Sequence, residues 1–206
     1  MAWTFYNSSG EALIKDGGIS NVVEDTTPQL GGNLDMQARL LVGNGGSTGI
    51  AISAAGEVTM AAQPGFHSPG TGTASNVTGD GTDYTMVFAG TERFDQNADF
   101  DNTSTFTAPV AGNYLFTGHV SFSGLSSMES LQVMLEVGGS SILFGWVFDG
   151  TTIGADSVHG TLRVPYTFFI NLSASDAVTI QVDVAGGAQT AEVELASSYF
   201  SGYLVQ

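Results

Sequence analysis

The chain has 206 residues, with 20 Asp and Glu against 4 Lys and Arg, a formal net charge of -16. So few cations cannot neutralise phosphates, so nucleic acid and anionic membrane surfaces are excluded as charge-driven partners. At 42% hydrophobic and 12% charged residues the chain is too apolar for a disordered acidic tail, and the lack of Cys removes disulfides, thiolate metal sites and cysteine nucleophiles.

In chain order, residues 1–40 read as an irregular, polar anchor or docking segment. Met1-Ala2-Trp3-Thr4-Phe5-Tyr6-Asn7 has no basic region followed by an apolar run, so it does not read as a signal peptide. Trp3, Phe5 and Tyr6 are its apolar anchors. No stretch approaches the ~18 apolar residues of a bilayer span, so membrane insertion is not expected. Residues 41–79 read as a β-hairpin stalk and linker. Ile50 and Ile52 alternate, Ala54-Ala55-Gly56 turns the chain, and Val58 and Met60 alternate again. One such hairpin is marginal alone, whereas three around an axis could pool their apolar faces. Residues 67–79, containing His67-Ser68-Pro69-Gly70, read as loop or linker.

Residues 80–206 read as an all-β head. Glycine, at 28 residues, is about twice its usual share and punctuates runs rich in Val, Ile, Phe, Tyr and Thr. Predicted strands cover 84–88, 104–108, 112–122, 130–137, 141–148, 157–172, 177–184 and 191–205, with a two-residue turn at Gly138-Gly139. About eight antiparallel strands in this length point to a sandwich or jelly roll. Between 114 and 122 the alternation places Tyr114, Phe116, Val120 and Phe122 on one face, and Leu115, Thr117, His119 and Ser121 on the other.

Phe100-Asp101-Asn102-Thr103-Ser104-Thr105-Phe106-Thr107-Ala108-Pro109, followed by Gly112-Asn113-Tyr114-Leu115-Phe116, resembles the central pattern of the complement globular-head family. That family shares the tumour-necrosis-factor jelly roll. Tyr199-Phe200-Ser201-Gly202-Tyr203-Leu204-Val205 resembles its closing strand, and Ser173-Ala174-Ser175-Asp176 its penultimate turn, with Ser where the family often has Gly. The resemblance covers roughly residues 80–206 and implies a homotrimer with strand aromatics packed around the threefold axis. Residues 19–35, with Thr26-Thr27-Pro28-Gln29-Leu30-Gly31-Gly32, are similar to a stretch recurring in bacteriophage tail-fibre and other virion proteins. Residues 50–66 resemble the shaft-to-head junction of such fibres, although no collagen-like stalk precedes the head. These likenesses imply a virion fibre, assembled in the host cytoplasm and exposed on the particle surface. Its N-terminus would join other virion structural proteins. Its head would adhere to a host receptor or glycan. The alternatives are a capsid decoration protein without receptor binding and, less favoured, a carbohydrate-active enzyme.

No catalytic residues emerge. The separations of His67, His119 and His159 match no zinc pattern, and no Gly-x-Ser-x-Gly elbow occurs. No cofactor is expected. Asp95, Asp99 and Asp101 are the only calcium candidates; an EF-hand fails because Phe100 and Phe106 take its Gly and Glu positions, and a solvated acidic loop is the preferred reading. Antiparallel counting back from the last strand puts three loops at the apex, away from the stalk. Receptor contact is assigned to Ser126, Ser127, Glu129, Asp149, Thr151, Thr152, Asp156 and Gln189 on those loops, because loops on a rigid scaffold are where binding resides.

Overall fold

The computed structural model describes residues 41–42, 49–125, 128–149 and 161–205. Strands β1 (Leu41–Val42), β2 (Gly49–Ile52) and β3 (Val58–Met60) form a small antiparallel sheet in that order. The expected hairpin is present: Ile50 pairs with Met60 and Ile52 with Val58, so the four apolar side chains share one face. The turn is closed by Ser53, whose N–H donates to Glu57 O at 2.8 Å. The strand at 41–42 was not anticipated.

The head contains β4 (Gly65–Pro69), β5 (Ala74–Thr78), β6 (Tyr84–Thr85), β7 (Phe94–Gln96), β8 (Phe106–Thr107), β9 (Gly112–Ser123), β10 (Ser130–Val137), β11 (Ser140–Asp149), β12 (Leu162–Leu172), β13 (Ala177–Ala185), β14 (Ala191–Val193) and β15 (Tyr199–Leu204). They form two antiparallel sheets. The large sheet runs β12-β9-β15-β4-β7, with β14 and β5 extending β15 and β4 at the far end. The smaller runs β11-β10-β13, with β6 and β8 both beside β13. From β5 to β14 the chain changes sheet at every connection except β10–β11. Crossing between two packed sheets in this order is a jelly roll, and the fold is all-β.

Two stretches differ from the sequence expectation. Residues 67–79, read as loop or linker, contain most of two strands of the large sheet: β4, which begins at Gly65 and pairs with β15, and β5, which pairs with β14. The prolines at both ends of β4 hid it. Pro64 precedes the strand, and Pro69 is its last residue, where a missing N–H costs little. The long closing strand is split by a short turn at Leu195–Ser197. There Ser198 Oγ accepts the Ser121 N–H at 3.0 Å and donates to Glu194 O at 2.9 Å, drawing the chain out of the ladder.

Apolar alternation builds the core between the sheets. Tyr114, Phe116, Val120 and Phe122 are fully buried, as the alternation required. An aromatic stack fills the centre. Phe66 lies parallel to Phe100 at 4.8 Å and near-parallel to Phe106 at 5.1 Å, and Phe200 meets it edge-on at 4.8 Å. The turn after β10 is as read: Gly138 and Gly139 have φ of 59° and 84°, left-handed values that glycine adopts without strain.

Candidate functional site

The strand pairing sets two ends of the head. Gly65 pairs with Tyr203 and Leu204 with Tyr114, so the start of β4 and the end of β15 lie together. That end is the base; the opposite end is the apex. Two of the loops counted to the apex are seen there together: Glu129 N–H donates to Ala185 O at 2.7 Å. Glu129 is exposed. Gln189 is exposed as well, and its Nε2 donates to Val77 O at 3.3 Å. Asp149 is the last residue of β11, opposite Ser130, at the same end. Ser126, Ser127, Thr151, Thr152 and Asp156 lie outside the described residues, as do the anchors Trp3, Phe5 and Tyr6.

A fourth segment reaches the apex that the sequence reading left out. Gly79 and Gly81 donate to Val184 O at 2.8 and 3.0 Å, and Gly187 donates to Gly79 O at 3.0 Å. This brings Asp80 and Asp83 beside Asp183, whose carboxyl is pushed up by burial and by those two charges. Met128, next to the exposed Glu129, is buried and belongs to the core. Gly79, Leu125, Met128, Ala188 and Thr190 line a small, shallow indentation that opens to solvent. Recognising 74–78 as a strand would have revealed the fourth segment, since it fixes where residue 79 emerges.

The calcium candidates are engaged by their own loop. Asp95 accepts the N–H groups of Asp99 and Phe100, each at 3.2 Å. Asp101 Oδ1 accepts three, from Thr103 and Ser104 at 2.8 Å and Thr105 at 3.0 Å. Burial pulls the Asp101 carboxyl up, but the three amides outweigh it and hold it below the usual carboxylate range. Burial, reinforced by Asp95, pushes Asp99 up. Among the described residues no three His, Asp or Glu are placed to hold a metal ion.

The outer face of the large sheet is the other candidate surface. Side chains facing outward form rows across the strands. Phe169, Leu115, Tyr203 and Gly65 make one row, with Phe94 lying over Gly65. Phe169 is 60% exposed, Phe94 53% and Tyr203 46%. The next row is Thr167, Thr117, Ser201 and His67, followed by Pro165, His119 and Tyr199. No Asp or Glu stands in these rows, although the chain has 20. His67 stacks on Tyr199 at 5.0 Å and His119 meets the same ring edge-on at 4.7 Å. His67 Nδ1 contacts Ser201 Oγ at 2.6 Å, and His119 Nε2 donates to Ser197 O. Desolvation, then the charge of Arg93, hold the His67 imidazole below its ordinary value.

No protein-family model matches the sequence, and no curated protein matches it. Among solved structures, the chain is similar to the globular domain of zebrafish complement 1qA protein, with a TM-score of 0.46 and 20% identity, over 70% of this chain and 98% of that one. It is similar to murine APRIL, in its crystal structure at pH 8.5, with a TM-score of 0.48 and 11% identity, over 69% of this chain and 99% of that one.

Proposed function

We propose that this chain is the subunit of a homotrimeric virion fibre, with residues 1–40 attaching it to the particle and the jelly-roll head adhering to a host surface. The observation that carries the trimer is the outer face of the large sheet. A chain of net charge -16 repels its own copies, so self-contact needs a surface free of carboxylates. The rows bearing Phe169, Tyr203 and Phe94 supply one that is apolar, aromatic and exposed. The hairpin adds a second: Ile50, Ile52, Val58 and Met60 share one face and all remain exposed in the single chain. Sedimentation at micromolar concentration tests this. Three chain masses are expected, and a folded particle of one chain mass overturns the reading.

The fibre assignment rests on the sequence likeness over 19–35 and 50–66. Adhesion through the apex is supported by described segments of 79–83, 128–129 and 185–190 meeting at one end of the double sheet, with Glu129 and Gln189 exposed among them. Replacing residues 149–156 and 185–190 with unrelated loops of equal length should abolish host adsorption and leave assembly intact. Unchanged adsorption would favour the decoration reading instead.

A further inference from the structure

At the apical end of the same sheet face a cation and two carboxylates stand on opposite sides of β9. Arg163, on β12, pairs with Ser121 of β9 from one side. From the other side of β9, Glu194 N–H donates to Ser121 O at 2.8 Å, so Arg163 and Glu194 stand at one height. Glu192 follows one step nearer the apex, opposite Ser123. The Ser123 hydroxyl lies 3.1 Å from Glu192 Oε2 and 2.8 Å from Glu194 Oε1, and Thr73 Oγ1 donates to Glu194 Oε2 at 2.7 Å. Ser123 has one proton for two carboxylates. Among the described residues the fold holds two like charges side by side with only hydroxyls to offset them.

Copies related by a threefold axis touch head to tail, so one flank of the contact face meets the opposite flank of the next copy. Here the β12 edge is cationic and the side of β9 that bears β14 is anionic. Arg163 is one of only four cationic side chains in the sequence, with Lys15, Arg39 and Arg93. We infer that each Arg163 docks on the Glu192–Glu194 pair of the next copy and so fixes the direction of the ring. The apolar rows nearer the base supply adhesion between copies, and this contact supplies register, the division of labour expected of charge at an interface rim. The inference rests on the trimeric reading above.

The test uses the full chain with Arg163→Glu, and separately with Glu192→Arg and Glu194→Arg together. Each should raise the concentration of half-dissociation about tenfold or more, since a reversed charge meets like charge at every contact of the ring. The difference from the parent should shrink at ~1 M salt. Mixing the two variants should partly restore assembly, because most contacts in a mixed ring are again matched. Loss in the separate variants without recovery on mixing would place the pairing within one chain and overturn the inference. Variants that assemble like a trimeric parent overturn this contact alone. A monomeric parent overturns the trimeric reading and this contact with it. Circular dichroism of each variant confirms that the head is folded.

Discussion

Gly202 shows how a motif residue serves packing. A Cβ there would lie 2.5 Å from Phe116 Cδ1 and 2.8 Å from Phe66 Cε1, inside the central aromatic stack. Gly202→Ala should cost about 1–3 kcal/mol through forced displacement of those rings, measured by chemical denaturation. Asp101 has a similar role: its carboxylate ties the turn that lets Phe100 and Phe106 close on Phe66. The motif residues quoted for the family resemblance are thus scaffold residues, which is why they announced the fold and left the binding surface unmarked. His67 predicts a pH effect. Its folded-state affinity for a proton is depressed, so the unfolded chain binds the proton first as pH falls through about 6.5. The stability it contributes is present above that value and lost below it. Arg93, Tyr199 and His119 surround it, and none offers a negative charge to reverse the sign. Relative to His67→Gln, the parent should lose melting temperature between about pH 7.5 and about pH 5.5. A constant difference across that range would refute this.

Among elements, the strands with clean alternation were legible and the ones flanked by proline or set by distant partners were not. The alternation of β9 and β13 reads directly from their residues, and Gly138-Gly139 fixes the β10–β11 register. Strand β7 has three residues and exists because Gly65, Phe66 and His67 offer it a partner; no local pattern encodes that. The apical carboxylate pair escaped notice for the same reason, since Thr73, Ser123, Glu192 and Glu194 meet only through pairing of β5, β14 and β9. The hairpin was legible as a strand pair with one apolar face, and that exposed face sets a prediction. Ile52 is 51% exposed and Val58 62%. In a lone chain Ile52→Asp would change stability by less than about 0.5 kcal/mol. In a trimer it places three carboxylates where three apolar faces meet. Sedimentation should show weakened assembly, with the melting of the isolated chain unchanged.

For the whole molecule, the balance is between one neutral, apolar face and a strongly anionic remainder. Screening weakens the repulsion between copies more than it weakens apolar contact. The parent trimer should therefore tighten as salt rises from about 0.05 M to about 0.5 M, and light scattering across a dilution series measures it. Loosening with salt would mean that ion pairs, not the apolar rows, dominate assembly.

Strand β15 follows every other strand of the head in sequence, yet it lies in the middle of the large sheet, between β9 and β4. Until Phe200 emerges from the ribosome, Phe66 and Phe116 lack the ring that joins them, and β4 has nothing to pair with but the edge strand β7. The head therefore closes only after β15 has been made, as a late, long-range event. A product truncated before Tyr199 would have neither a completed sheet nor the outer face that Tyr199, Ser201 and Tyr203 help to build. The fold in this way checks its own message: only a chain made through β15 can complete the head.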